Sequence, residues 1–407
     1  MTGKQTVVNS VIKVAIPQAL NEVKKQAQQS IIPIKPVNDK TDKDLLFAAK
    51  LAEASCDLPP YYLVYFLLVD LLDFNNLGRS EKIAWSVPID FYGSVYLIEY
   101  RKLSFGVFGR GGDREEQNAQ HIVALINRGV KVAKPFFKWM ADDAVNNSKL
   151  NVINKAYILF ERYQYLRDLY NFISTEKIEL NKKKMALKNK KDSNFDGLLK
   201  EHAKAYNLST DLSKKAGWLA MSAIDAFFSW TEHIFIHLAI LQGHITTGNN
   251  VTTFMQEKWA DKFKHVLNIS NPNMKTHFDI LVTIKRQLRN FMAHGAFGKD
   301  GQAFYFHSNT GAVPVALDYT KNKPRFSITP ELGFDDTEAI KAIEKFISYM
   351  WSELKPAEIY IQKSYLPLIL PMANDGTYKK AMSSLNDMIE FVDRLGHEFD
   401  ITANMDW

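Results

Sequence analysis

Lys285-Arg286-Gln287-Leu288-Arg289-Asn290-Phe291-Met292-Ala293-His294-Gly295 is the stretch on which the reading of this chain turns. Leu281, Ile284, Leu288, Phe291 and Met292 recur at helical spacing and make one apolar stripe. Arg286, Asn290 and His294 fall at i, i+4 and i+8 on the opposite side of the same wheel, with Arg289 on the flank of that polar stripe. Ala293 lies between the arginines and His294. Gly295 is the residue expected just beyond the helix end. The spacing therefore predicts a helix over 275–294 that carries arginine, asparagine and histidine to one surface and stops at glycine.

Upstream, 216–243 predicts a strong apolar helix containing Trp218, Phe227, Phe228, Trp230, Ile234, Phe235 and Leu238. Asp225, Ser229 and Glu232 lie at i, i+4 and i+7 on one side of it. His233 and His237, four apart, suit one edge of a metal site, but no third ligand accompanies them. A second helix is expected over 254–267, and Pro272 precedes the motif helix. Downstream, Gln302–Ser308 and Val313–Leu317 read as a β-hairpin around Asn309-Thr310-Gly311, with a third strand near Pro324–Thr329. Lys321, Lys323 and Arg325 lie in this insertion. Asp335-Asp336 opens another helix, with Ile340, Ile343, Phe346, Ile347 and Met350 as its apolar side.

The N-terminal half has a different character. Residues 1–40 form a polar arm with a short helix expected at 17–29. A capped helix is expected over 42–55, and an apolar helix or buried strand over 61–73. Residues 82–108 switch to short aromatic and β-branched runs, a small antiparallel meander. Gly109-Arg110-Gly111-Gly112-Asp113 then leads into a helix from 114 to about 129. This turn could cradle a phosphate, but it lacks the pattern of a P-loop or a dinucleotide fingerprint and reads first as a strand-to-helix connection. Residues 135–180 carry aromatic stripes of core type. Lysines crowd from 177 to 191, as a solvated helix end or as a strip for RNA phosphates.

The domain plan expected is an arm (1–40), an α+β domain with a helical extension (41–190), a linker (191–207), a helical domain (208–355) and a C-terminal extension docking on it (356–407). In fold class this is a mainly α protein preceded by a smaller α+β domain. The net charge of +6 over 407 residues leaves nucleic-acid contact to local basic patches. The single cysteine, Cys56, excludes an internal disulfide and a cysteine-built zinc site. No continuous signal-peptide core and no span-length apolar run is evident, which leads to the expectation of a cytoplasmic protein without membrane attachment.

Arg289 and Asn290, followed after three further residues by His294, resemble the signature of HEPN domains, helical bundles that often act as metal-independent RNases. The succession of helix, helix, motif helix, hairpin insertion and helix over 208–355 resembles the four-helix HEPN plan, with the β-hairpin as an insertion. The run Ser222-Ala-Ile-Asp-Ala-Phe-Phe-Ser-Trp-Thr-Glu-His233 resembles the first helix of such a bundle. The resemblance implies Arg289, Asn290 and His294 as catalytic residues, with Glu232, or Asp225, steering Arg289. It also implies no metal, no cofactor, and two protomers sharing one cleft as a homodimer.

The chemistry is coherent with those residue types. RNA carries its own nucleophile, the 2′-OH, so a catalyst has to move protons and stabilise a crowded phosphorane. His294 titrates near neutral pH, and Arg289 can grip two phosphate oxygens. Arg286, Lys321, Lys323 and Arg325 are candidates for RNA contact. The expected function is an endoribonuclease, acting on tRNA or other cellular RNA as a toxin or antiviral defence effector. Its N-terminal domain would sense a trigger or hold an inhibitor. The alternative is a non-catalytic HEPN module for dimerisation or for nucleotide or RNA binding.

Overall fold

The computed structural model describes residues 17–37, 49–80, 82–188, 195–294, 302–318, 325–327 and 335–404. Within these, the side chains of 186–188, 195–196, 198–199, 202, 289–294, 302–303, 314, 316–318, 325–327 and 401–404 are not described. The protein is mainly helical, with a small antiparallel sheet towards the N-terminus. It divides into two compact units, Met1–Val145 with Phe399–Trp407, and Asn146–Glu398.

In the first unit, α1 (Asn21–Ser30) precedes two short strands, β1 (Lys35–Pro36) and β2 (Lys50–Leu51). Helix α2 (Tyr61–Tyr65) continues as a π-helical turn, Phe66–Leu71. The meander is β3 (Ile83–Phe91), β4 (Ser94–Arg101) and β5 (Ser104–Gly109), in a sheet of order β1-β3-β4-β5-β2. Tyr92 and Gly93 both take positive φ, the backbone a tight two-residue hairpin turn needs. Alternation along the strands sends Trp85, Val87, Ile89, Phe91, Tyr96, Ile98 and Val107 into the core, where Ile122, Val123 and Ile126 of α3 (Asp113–Val132) meet them. On the opposite face Glu99 is fully buried. It accepts from Ser86 Oγ (2.6 Å) and Arg101 Nε (2.7 Å), and the guanidinium lies 3.7 Å over the Phe108 ring.

The helix expected over 42–55 is not found in its described part. Residues Lys50–Leu51 are a strand paired to β5, and Glu53–Asp57 is a 3-10 turn. Tertiary pairing overrides the helical propensity of this alanine-rich stretch: Ala52 N–H donates to Val107 O, while the Glu116 carboxylate accepts the N–H groups of Glu53 and Ala54.

After α4 (Lys134–Asn146) and β6 (Asn151–Val152), the second unit is built on two long antiparallel helices, α5 (Ala156–Lys188) and α6 (Phe195–Leu241). They are zipped by Phe160 on Trp230 (4.8 Å), Tyr163 on Phe227 (6.0 Å), Tyr170 against Ala216 and Ala220, and Ser209 Oγ to Asn181 Oδ1 (3.3 Å). Around α6 pack α7 (Gly248–Gln256), α8 (Trp259–Val266), α9 (Pro272–His294) and α10 (Asp336–Glu353). Between α9 and α10 runs a three-stranded antiparallel sheet, β7 (Gln302–Ser308), β8 (Gly311–Asp318) and β9 (Arg325–Ser327). Phe227, Trp230, Phe263 and Phe346 fill the centre of the bundle. The apolar reach of α6, Ala203–Leu241, is long enough to cross a bilayer, but most of its apolar window is buried inside the unit.

The domain expectation changes here in two respects. The described part of the expected 191–207 linker, from Phe195 onward, is the first turns of α6, about three and a half of them. The helical extension assigned to the first domain, 156–188, is a full member of the bundle: Tyr163 Oη and Arg167 Nη1 both donate to Glu344 of α10 (2.5 and 2.9 Å). The polar composition reads like a linker, yet from Phe195 onward it is helical, with Lys200, Glu201, Lys204 and Asn207 exposed. The helix expected over 254–267 is two helices, broken at Glu257 and Lys258.

The C-terminal residues follow as α11 (Lys355–Glu358), a π-helical turn Ile359–Lys363, β10 (Leu368–Ile369) paired with β6, α12 (Leu370–Asn374), α13 (Thr377–Ala381) and α14 (Leu385–Asn404). Tyr360 stacks on Phe391 there, Tyr378 meets both edge-on, and Trp230 Nε1 donates to Gln362 (3.1 Å). The expected docking of Trp407 lies outside the described residues.

Candidate functional site

Helix α9 starts where Asn271 Oδ1 accepts the N–H of Asn273 (2.9 Å), with Pro272 as the first helical residue. Its apolar stripe, Met274, Phe278, Leu281, Ile284 and Leu288, is buried in the bundle. Arg286, on the other side, is exposed. Arg289, Asn290 and His294 occupy the last turns of α9; their side chains lie outside the described residues, as do Lys321, Lys323 and the side chain of Arg325. The helix assignment brings Arg289, Asn290 and His294 onto the final six residues of one element.

One turn before Arg289, the structure assembles a polar cluster. Glu232 on α6 reaches two lysines: Lys285 Nζ of α9 lies 3.4 Å from Oε1, and Lys262 Nζ of α8 lies 3.8 Å from Oε2. Lys262 is 2% exposed and donates to Met255 O at 2.8 Å. Lys285 Nζ sits over the rings of Phe228 (4.6 Å) and Trp259 (5.4 Å). Trp259 is itself fixed by an Nε1–H bond to Thr231 Oγ1 (2.9 Å). Burial pushes the Lys285 ammonium below the usual lysine range, and the Glu232 and Asp225 carboxylates oppose that push.

Glu232 thus ties α6 to the motif helix, but its described cation partners are Lys285 and Lys262. Asp225 is exposed two turns earlier on α6. The sequence reading overlooked both lysines. The signal for Lys262 was present: Trp259, Lys262, Phe263 and Val266 recur at i, i+3, i+4 and i+7, so one lysine stands on an apolar stripe. For Lys285 the signal was its place four residues before Arg289, on the same face as that residue. With Glu232 and Asp225 set against Lys262 and Lys285 the cluster is balanced in charge, and it lies about 6 Å along the helix axis from Arg289.

His233 and His237 serve the fold instead of forming a metal edge. His233 Nε2 accepts the Lys155 N–H (2.9 Å), and His237 Nδ1 lies 2.9 Å from His233 O. Burial holds both imidazoles neutral, pushing His233 down to about 3 and His237 to about 4. No group of three or more His, Cys, Asp or Glu able to hold a metal occurs among the described residues.

The glycine turn before α3 is a strand-to-helix connection with its own acidic cap. Gly111 and Gly112 take φ of 88° and 112°, and Gly111 N–H donates to Glu115 (2.6 Å). A cavity of about 320 Å³ opens there, but Glu53, Asp113, Glu115 and Glu116 line it against one cation, Lys50. A phosphate would meet four carboxylates, so the phosphate-cradle reading fails on charge.

Compared with family models, with curated proteins and with solved structures, the chain finds no match.

Proposed function

We propose that this protein is a metal-independent endoribonuclease whose active centre forms around Arg289, Asn290 and His294, in the manner of the HEPN domains it resembles. The observation that carries the reading is the setting of α9. The Arg-Asn-x-x-x-His sequence ends a helix of a mainly helical bundle, and an acidic residue of the longest neighbouring helix, Glu232, reaches that helix one turn earlier through Lys285.

In this mechanism His294 takes the proton from the ribose 2′-OH. The 2′-oxygen bonds to phosphorus as the bond from phosphorus to the 5′-oxygen breaks. A second protonated imidazole, from His294 of a second copy across a two-fold cleft, supplies the proton to the departing 5′-oxygen. Arg289 neutralises the equatorial oxygens, and Asn290 orients the imidazole or the phosphate. The products are a 2′,3′-cyclic phosphate and a 5′-hydroxyl. Glu232, paired with Lys285 and Lys262, anchors the helix that carries the motif. Arg286, Lys321, Lys323 and Arg325 are assigned to RNA contact. A toxin or antiviral effector that cuts tRNA or other cellular RNA, held in check through the first unit, is the role that fits this chemistry.

The test is an RNA cleavage assay in EDTA with wild type, His294→Ala and Arg289→Ala. Cleavage by wild type, insensitive to chelator and abolished by either substitution, supports the proposal. Equal cleavage by all three, or none by wild type, sinks it and leaves the bundle as a dimerisation or binding module.

A further inference from the structure

Residues 177–215, whose described parts are the last turns of α5 and the first turns of α6, hold eleven lysines, no arginine and five acidic residues. Their net charge of +6 equals that of the whole 407-residue chain, so the rest of the protein is neutral in sum. In this stretch the two helices are joined by Ser209 to Asn181 and by the Lys184 ammonium over the Tyr206 ring (5.4 Å). Lys182, Lys183, Lys200, Lys204 and Lys214 are exposed, and none has an ion-pair partner among the described residues. Lys215 is held by Asp211 at 2.8 Å.

On α6, Lys200, Lys204, Lys214 and Lys215 fall within about 100° of arc and span about 22 Å of helix axis. The lysines of α5, at 177, 182, 183 and 184, point to several sides of their helix. We infer that this helical arm is a docking surface for the phosphate backbone of folded RNA, delivering substrate to the bundle. The inference deepens the ribonuclease reading and rests on it for the identity of the polyanion.

Four arguments select this partner. Unpaired lysines confer affinity through counter-ion release and need no base sequence. A second copy of the arm is a poor occupant, because two lysine-rich surfaces of like charge repel. A bilayer surface calls for a helix with one apolar and one cationic face, whereas the α5 lysines are distributed around theirs. A span of about 22 Å also matches a double-helical segment: even at the duplex-DNA spacing of about 1.7 Å per charge along the axis, on the order of a dozen phosphates fall within reach.

The experiment uses the full chain carrying His294→Ala, so that binding is read without cleavage, and an RNA hairpin with a 20-base-pair stem as probe. With five lysines engaged, the log–log salt slope should be about −4, a loss of about 250-fold in affinity between 50 and 200 mM salt. Adding Lys182→Gln, Lys183→Gln and Lys204→Gln, all at exposed positions, should weaken binding tenfold or more and shrink the slope by about 3. Unchanged affinity in that variant, or binding that ignores salt, overturns the assignment. Binding to phosphatidylserine vesicles but not to the RNA hairpin overturns it as well. Cleavage chemistry is scored separately in the His294-intact protein on a short single-stranded RNA. Failure of the arm and failure of the nuclease are therefore distinguishable.

Discussion

Replacing Glu232 with glutamine keeps the shape of the side chain and removes the one carboxylate shared by Lys262 and Lys285. Breaking a buried pair costs about 3–5 kcal/mol, because a charge is left uncompensated; exposed pairs are worth about 0.2–1 kcal/mol. The Glu232 side chain is 44% exposed and its contacts are 3.4 and 3.8 Å, but Lys262 is almost completely buried. Solvent screening of the glutamate brings the expected cost to about 1–2 kcal/mol, between the two limits. Lys262→Met should be nearly neutral, since the methionine fills the same apolar stripe and the loss of the bond to Met255 O offsets the relief of burying an ammonium. In the Lys262→Met background, Glu232→Gln loses only the contact to Lys285 and should cost about 0.5 kcal/mol. Urea denaturation of the four proteins, with equal m-values, gives the coupling energy directly. A value near 1 kcal/mol agrees with the geometry; a value below about 0.3 kcal/mol means that Glu232 does not hold α6, α8 and α9 together electrostatically.

In the first unit, Arg101→Leu strands the fully buried Glu99 carboxylate with only Ser86 as a partner, and should lower stability by about 3 kcal/mol in thermal or chemical melts; a loss under 1 kcal/mol would show that the site repacks. Acid stability should fall through His237. Its folded-state pKa, about 4, lies below the unfolded value of 6.5, so the unfolded state binds the extra proton and stability drops as pH falls from 6.5 towards 4. From pH 7 to 5 the loss is about 2 kcal/mol from His237 alone, with His233 acting in the same direction. A His237→Gln variant should flatten the urea midpoint against pH over that range, and an unchanged slope would rule out His237 as the source.

What the amino-acid pattern reveals, and what it hides, follows from where information resides. The α9 stripe is local periodicity, so Leu281, Ile284 and Leu288 could be placed in the core and Arg286 outside from spacing alone. The meander is equally local, because alternation and Gly93 carry it. The 50–57 segment is different: its alanines and leucines favour a helix in isolation, and only the distant backbone of Val107 and the Glu116 carboxylate make it a strand and a 3-10 turn. The partnership of α5 with α6 was hidden for the same reason. Phe160, Tyr163 and Tyr170 announce a core face, but nothing nearby says which helix they meet, and the polar, lysine-rich sequence that follows α5 reads as an interdomain linker. At the site, helical spacing puts Arg289, Asn290 and His294 on the end of α9 and sets Lys262 on an apolar stripe, whereas the meeting of Lys262 and Lys285 at Glu232 depends on Trp259 and Phe228 converging on one spot.

The most direct measurement is the chemistry of the RNA ends produced by wild-type protein in EDTA. The mechanism predicts 2′,3′-cyclic phosphate and 5′-hydroxyl termini, no cutting of the same sequence made with 2′-deoxyribose, and no products from His294→Ala. Ends bearing a 5′-phosphate, or activity that disappears with the chelator, would contradict it.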